Sequence, residues 1–227
     1  MVNEHALGKV VDIDEAGVAT IKATLPNLMH ALDRHYDDVE IILPDGRKIS
    51  PQQRRKCYAL IGEIAEYVDG IRTYETVEDT KQMMKWEFVL NRMESQERRL
   101  FSLANCDVTT AKNFIDYLIQ FIIKNDIPTS VSLIDNCEDI NAYIYACLAN
   151  KKCCVCGKNA DLHHCEGSRI GQGNDRNEVH HLGREVLPLC REHHTICHSD
   201  ENGFIAKYHL VKIKLDEKLC KIYKLKK

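Results

Sequence analysis

The stretch CCVCGKNADLHHCEG, residues 153–167, decides how the C-terminal part of this chain folds. It places Cys153 and Cys156 at CxxC spacing, and a pair of histidines, His163 and His164, begins seven residues later. Thiolates and imidazoles are the ligands that zinc and related ions prefer in proteins. The stretch therefore predicts a metal site.

Cysteine and histidine are concentrated around this stretch. Residues 151–200 contain 13 of the 22 cysteines and histidines in the chain of 227 residues. Charge changes near the same point, because residues 1–150 carry a net charge of −8 and residues 151–227 carry +5. We therefore predict an acidic N-terminal domain over residues 1–150 and a basic, metal-binding domain over residues 151–227.

Composition and the start of the chain restrict the class of protein. With 44% hydrophobic and 29% charged residues, the composition is that of an ordinary globular protein. The first residues lack the layout of a signal peptide, and no apolar run reaches the roughly 18 residues of a membrane span. We expect a cytoplasmic protein without membrane contact, in which the eleven cysteines are metal ligands or buried thiols instead of disulfides.

Periodicity predicts a small sheet followed by helices. Residues 5–24 alternate apolar and polar side chains around the turn Asp14–Gly17, and residues 38–50 predict a second strand pair around Asp45–Gly46. Ser50 before Pro51 is a favourable helix start. The fold class is therefore α+β. Three further segments predict helices: residues 76–93, 109–128 and 137–151.

The stretch REVLPLCREHHTICHSD, residues 184–200, supplies the second half of the metal motif. Its Cys190 and His193 repeat the two-residue gap of the first half. Two short-spaced pairs from separate segments can complete a tetrahedral site, so we predict a structural Zn²⁺. Its ligands would be Cys153, Cys156, Cys190 and His193. Alternatively, His193 serves a neighbouring site and the zinc set is incomplete.

The remaining histidines predict a second site beside the first. His194 and His198 are four residues apart, so they share one face of a helix that begins near Arg191. His163 and His164 lie in DLHHC, a predicted strand on which neighbouring side chains point to opposite faces. REVLPLC predicts a second strand. The order is therefore strand, loop, strand and helix.

This arrangement resembles the HNH, or ββα-metal, endonuclease family. CxxC, then HH ending a strand, then PLCxxHH entering a helix with HxxxH carry the resemblance over residues 153–200. It implies a zinc-stabilised ββα-metal domain in which His164 is the general base. Glu185 stands where the family has the asparagine that braces this base. The family's three ligands to the catalytic ion fall on His163, His194 and His198.

Such a site suits phosphodiester hydrolysis. A neutral His164 can take a proton from water, because imidazole titrates near neutral pH. A divalent ion on the other histidines acts as a Lewis acid. Imidazole ligands favour Zn²⁺, Ni²⁺ or Mn²⁺, whereas Mg²⁺ would be held mainly by water and phosphate. DNA is the expected substrate, and RNA fits the same chemistry.

Basic residues near these motifs are candidate contacts to the nucleic-acid backbone. Three arginines lie in the loop between the predicted strands, and a lysine-rich segment with an apolar stripe predicts a basic C-terminal helix. A solvated surface is the alternative interpretation of both. The candidates are Arg169, Arg176, Arg184, Lys212, Lys214, Lys218 and Lys221.

The N-terminal part has a fainter resemblance. Residues 49–65 and 114–128 resemble the DNA-binding recombination mediators of lambdoid phages, and such a module joined to an HNH unit resembles phage HNHc nucleases. This implies a single-stranded or branched DNA substrate, single-strand-binding or recombination proteins as partners, and a bacterial host cell. A homodimer is compatible with it. Two alternatives remain: a non-catalytic zinc-knuckle nucleic-acid-binding module, and a recombination adaptor that zinc only stabilises.

Overall fold

The computed structural model describes residues 8–25, 27, 29, 32–33, 46–91, 100–168 and 179–226. It contains helices and small antiparallel sheets, so the α+β prediction is confirmed. The chain divides into two compact units, Met1–Pro44 and Asp45–Lys227. The expected boundary at residue 150 lies inside the second unit. The division of the chain into a binding part before this residue and a metal-binding part after it stays a prediction.

A β-hairpin opens the described part of the first unit. Strand β1 (Gly8–Ile13) pairs antiparallel with β2 (Ala19–Ala23). In the turn, the Asp14 carboxylate accepts hydrogen bonds from two backbone amides at 2.9 and 2.8 Å, and Gly17 has a φ of 84°, which glycine adopts without strain. The predicted hairpin is confirmed. The strand pair predicted over residues 38–50 falls mainly outside the described residues.

Helices form the first part of the second unit. At the start of helix α1 (Pro51–Asp69), the Ser50 hydroxyl accepts a hydrogen bond from the Gln53 amide, and the Gln53 side chain accepts one from the Ser50 amide, both at 3.1 Å. This reciprocal cap, with Pro51 in the first turn, explains why the helix begins there. The helices are α1 (Pro51–Asp69), α2 (Tyr74–Asn91), α3 (Val108–Lys124), α4 (Leu133–Asn136) and α5 (Ile140–Ala149).

Helix α3 lies at the centre of the helical core. Helix α1 packs against both α2 and α3, and α5 packs against α3. Among the described residues, no helix is long and apolar enough to cross a membrane. The side chains that α3 buries recur every three or four residues: Ala111, Phe114, Ile115, Leu118, Ile119, Ile122 and Ile123.

A three-stranded sheet and three short helices complete the second unit. Strand β4 (Glu185–Leu189) lies in the middle, with β3 (Asp161–His164) and β5 (Ile213–Lys214) antiparallel on either side. The chain runs from β4 directly into helix α6 (Arg191–Ser199). The elements are β3 (Asp161–His164), β4 (Glu185–Leu189), α6 (Arg191–Ser199), α7 (Glu201–Lys207), β5 (Ile213–Lys214) and α8 (Glu217–Tyr223).

The C-terminal segment differs from the single basic helix that its sequence predicts. Helix α8 begins only at Glu217, and β5 precedes it, because Ile213 pairs with Val186 at the edge of the sheet. Lys212 and Lys214 therefore lie next to or in a strand, whereas Lys218 and Lys221 lie on α8.

Helix α5 supports the sheet and the turn before it. It contacts β4, β5 and α8. The Tyr143 hydroxyl donates to the Cys154 carbonyl at 2.8 Å, and the Tyr223 hydroxyl donates to the Leu148 carbonyl at 3.0 Å. The buried core runs continuously from Ile49 to Cys220. The helical part and the metal-ligand-rich part of the second unit therefore share one core.

Candidate active site and metal centres

Four cysteine and histidine side chains converge from the turn before β3 and from the start of α6. The Sγ atoms of Cys156 and Cys190 are 3.6 Å apart, and His193 Nδ1 lies 3.2 Å from Cys190 Sγ and 3.6 Å from Cys153 Sγ. Tetrahedral zinc, with bonds of about 2.0–2.3 Å, separates such ligand atoms by about 3.3–3.8 Å. The spacing fits one zinc ion. The four-ligand cluster, as we name it, is Cys153, Cys156, Cys190 and His193.

Local backbone geometry positions this cluster. Gly157 has a φ of 72° and donates its amide to the Cys153 carbonyl at 2.9 Å, which closes the CxxC turn. Cys190 is the N-cap of α6. Burial alone would raise the pKa of the Cys190 thiol, but hydrogen bonds from the His193 amide and the Cys156 thiol outweigh it and lower that pKa. A lowered pKa favours the thiolate, the form that binds zinc.

Three histidines form a second group, the three-histidine cluster of His163, His194 and His198. The ring centroids of each pair are 4.8 Å apart, and one nitrogen of each ring lies within 4.8 Å of the others. His194 and His198 are one turn apart on α6, and His163 faces them from β3. The cluster can offer three imidazole nitrogens to a single ion.

His163 is the buried member of this cluster. Its side chain is fully buried, and its Nδ1 atom has no hydrogen-bond partner among the described residues. Burial, with repulsion from His194, lowers the pKa of His163 to about 4, so the ring is neutral near pH 7. An unsatisfied buried nitrogen costs on the order of 1–3 kcal/mol. A metal ion bound at Nδ1 would remove that cost, so the residues present fit a metal.

Glu201, the first residue of α7, holds the other side of the His163 ring. Its Oε2 atom lies 3.4 Å from His163 Nε2, and its side chain is only 3% exposed. The carboxylate also accepts the Glu166 amide and pairs with the Lys212 ammonium, each at 2.9 Å. Because an ionised carboxylate only accepts hydrogen bonds, it favours the proton on Nε2 and leaves Nδ1 for a metal.

A third group of potential ligands overlaps the second. His163, Cys165 and Glu201 are all buried and lie within ligand distance of one another. The Lys212 ammonium already provides the positive charge beside Glu201. Burial, with the negative charge of Glu201, raises the pKa of Cys165 to about 12, so Cys165 is a neutral thiol. We interpret Glu201 as hydrogen-bonded support for His163 and do not interpret this group as a further metal site.

His164 lies on the opposite face of β3 from His163, since strand neighbours alternate. Its Nε2 atom is 3.2 Å from Nδ1 of His181, and His181 is fully buried. Both rings line a cleft of about 430 Å³ that His194 of the three-histidine cluster also lines. The candidate base and a candidate metal ligand therefore open into the same space.

The predicted brace of this base, Glu185, does not fit the geometry. The register pairs His163 with Leu187, so Glu185, two residues before Leu187, lies on the His163 face of the sheet. His164 lies on the other face. The side chain found against His164 is instead that of His181, which the sequence analysis did not select.

Two of the predicted nucleic-acid contacts are occupied within the protein. The Arg184 guanidinium donates to the carbonyl oxygens of His180 and Ser168 at 2.7 and 2.9 Å, which links Ser168 to the residues just before β4. Lys212 is paired with Glu201. Arg169 and Arg176 lie outside the described residues. The predicted contacts that are exposed are Lys214, Lys218 and Lys221.

The cleft also contains residues that the sequence analysis missed. Arg191, the first residue of α6, is exposed and lines the cleft together with Asp161 and Tyr223. A guanidinium has the geometry to bind phosphate oxygens in pairs. Arg191 is therefore a better-placed candidate phosphate contact than Arg184.

Comparison with protein families agrees with this geometry. A family model described as "Putative HNHc nuclease" matches residues 26–226. The chain belongs to this HNHc nuclease family. Comparison with curated proteins finds no match, and comparison with solved structures finds none either. The match begins well before the metal-ligand residues, so the HNHc nuclease pattern includes the helical part of the chain. The resemblance to lambdoid recombination mediators stays a prediction.

We expect Cys156→Ser to reduce the zinc content of the protein by about one ion per chain and to lower its Tm by several degrees. Cys156 is exposed, so the change removes a ligand and little packing, and a structural zinc contributes directly to folding. Atomic absorption and calorimetry would measure both effects. Cys137→Ser, outside both clusters, is the control. An unchanged zinc content in Cys156→Ser would contradict the assignment.

We expect Glu201→Ala to weaken Mn²⁺ binding at the three-histidine cluster by about 10- to 100-fold, the usual cost of losing a residue that orients a metal-binding histidine. Zinc at the four-ligand cluster should remain. Calorimetric titration and zinc analysis would measure the two sites. Glu192→Ala is the control, because Glu192 is exposed on α6. Glu201→Gln is the second variant, since it leaves an acceptor for His163 and Lys212. Wild-type Mn²⁺ affinity in both Glu201 variants would refute the bracing role.

Proposed function

We propose that this chain is a metal-dependent DNA endonuclease that hydrolyses phosphodiester bonds. The observation that carries the proposal is the unpartnered Nδ1 of buried His163, which points to a metal beside two further histidines. The adjacent residue, His164, reaches a cleft from the other face of the strand. A metal position and a second imidazole at one cleft are what hydrolysis of a phosphodiester requires.

The residues of the cleft suggest a division of labour. His164 would accept the proton of a water molecule as the water oxygen bonds to phosphorus and the bond to the 3′ oxygen breaks. Arg191 would hold a non-bridging phosphate oxygen at the rim of the cleft. The divalent ion, held by His163, His194 and His198, would supply Lewis-acid stabilisation of the negative charge. Its all-imidazole ligand set favours Mn²⁺, Ni²⁺ or Zn²⁺, and Mg²⁺ would need water and phosphate as further ligands.

We infer that the four-ligand cluster holds a structural Zn²⁺ and that β3, β4 and α6 form a ββα-metal unit. The four ligands leave no open coordination position, which is typical of structural zinc. The zinc would join the turn before β3 to the first turn of α6. His193 belongs to this cluster by its contacts with Cys153 and Cys190.

The remaining surface suggests how nucleic acid is held. Residues 151–227 carry a net charge of +5, and exposed Lys214, Lys218 and Lys221 offer backbone contacts. In the helical part, by contrast, the Arg54 guanidinium is engaged within the protein, because it donates hydrogen bonds to the Leu103 and Ala104 carbonyls.

We propose that residues 1–150 receive a single-stranded or branched substrate or a recombination protein. This role, and a phage origin, rest on the resemblance alone.

The two alternatives predict different behaviour. A zinc-knuckle module would bind nucleic acid without cleaving it, and an adaptor would do neither. Four ligands are enough for a zinc knuckle, so neither alternative explains why three further histidines cluster beside it.

The decisive experiment incubates the protein with linear duplex, single-stranded, flap and four-way-junction DNA and with single-stranded RNA, under Mg²⁺, Mn²⁺, Ni²⁺ and Zn²⁺ in turn. Cleavage of at least one DNA substrate is expected, and binding without cleavage would favour the knuckle.

We expect His164→Ala to reduce the cleavage rate by at least about 100-fold, the usual contribution of a general base. Zinc content, Mn²⁺ affinity and Tm should stay near the wild-type values, because His164 belongs to neither metal cluster. Gel assays of cleavage under single-turnover conditions would measure the rate. The control is His180→Ala, because His180 is exposed and its ring has no assigned role. Cleavage by His164→Ala at the wild-type rate would eliminate His164 as the base.

A further inference from the structure

His181 is held more firmly than a loop histidine on the surface would be. Its side chain is fully buried. Its amide donates to the Lys226 carbonyl at 3.0 Å, and its own carbonyl accepts the Arg184 amide at 3.1 Å. The next turn is fixed as well, because the Gly183 amide donates to the Leu215 carbonyl at 2.8 Å. Both backbone groups of His181 are therefore anchored, and its imidazole is presented to His164 in a fixed position.

We propose that His181 is the residue that positions the base His164, which is the role that the family resemblance assigned to Glu185. The contact that supports this is the 3.2 Å distance between His164 Nε2 and His181 Nδ1. The inference rests on the proposed nuclease function, because it names the group that orients the proposed base.

The hydrogen bond between the two rings selects a tautomer. Two imidazole nitrogens at this distance must share one hydrogen, so one ring donates and the other accepts. If His181 Nδ1 accepts, His164 carries its hydrogen on Nε2 and keeps a lone pair on Nδ1. That is the arrangement a base needs, because its lone pair must meet the water. His181 then carries its own hydrogen on Nε2.

The same bond fixes the orientation of the ring. A side chain with two rotatable bonds samples several orientations, and one directional contact to a rigid acceptor restricts them. Once His164 has accepted a proton, its Nε2–H still donates to the same acceptor and makes a stronger, charge-assisted bond. The contact therefore serves the ring both before and during the reaction, which is the role of the third member of a catalytic triad.

The test compares three variants of the full chain: His181→Leu, His181→Asn and His180→Leu. Leucine removes the hydrogen-bond acceptor and fills the buried position with an apolar side chain. In the second variant, the amide oxygen of asparagine can accept a hydrogen bond from His164 Nε2. His181→Leu should lower kcat by about 10- to 100-fold with KM within about twofold, and His181→Asn should regain most of the loss. His180→Leu, the matched control, should behave like the wild type. Zinc content and Mn²⁺ affinity should be unchanged in all three.

A second readout does not depend on cleavage. The ¹⁵N chemical shifts of the His164 ring should report the Nε2–H tautomer in the wild type and in His181→Asn, and a mixture of tautomers in His181→Leu. Wild-type kcat in His181→Leu, a His181→Asn variant as slow as His181→Leu, or the Nδ1–H tautomer of His164 in the wild type would each overturn the proposal. A wild-type chain that cleaves no substrate would refute the nuclease function itself, while the tautomer would still decide whether His181 orients His164.

Discussion

The four-ligand cluster is the constraint on which the rest of the site depends. It joins the CxxC turn before β3 to the first turn of α6, and it fixes the rotation of α6 about its own axis. His193 and His194 are neighbours on that helix, so their side chains point about 100° apart. His193 turns toward the two nearest cysteines and His194 turns toward His163. A rotation by one residue would exchange them, so the placement of His193 in the first cluster also aims His194 at the second cluster.

His163 connects this scaffold to the chemistry. Its two ring nitrogens have different surroundings: Nε2 meets the Glu201 carboxylate, and Nδ1 has no hydrogen-bond partner among the described residues. Lys212 balances the buried charge of Glu201, so the carboxylate can remain ionised in the core. On the opposite face of the same strand, His164 has its own support in His181. One short strand therefore presents two adjacent imidazoles, each in contact with a partner from another part of the chain.

The sequence predicted those parts of the site that depend on local spacing. The two-residue gaps of CxxC and CxxH and the four-residue interval from His194 to His198 each lie within one short segment of the chain. The structure brings these residues together. Glu201 and His181 were missed because tertiary packing alone places them against β3. Whether Glu185 can brace His164 depends on the register of the two strands, which the sequence does not give. A shift of one residue moves a side chain to the other face of the sheet. Strand β5 has only two residues, too few to show alternation.

The central claim is that two separate ions occupy the second unit, one holding the scaffold and one facing the cleft. Anomalous diffraction from crystals of the full chain, grown with Zn²⁺ and soaked in Mn²⁺, tests it most directly. The expected maps contain a zinc peak within bonding distance of the four-ligand cluster. They also contain a second peak bonded to Nδ1 of His163 and to the rings of His194 and His198. A single zinc peak, with His163 Nδ1 turned away from an empty three-histidine cluster at high Mn²⁺ concentration, would contradict the account.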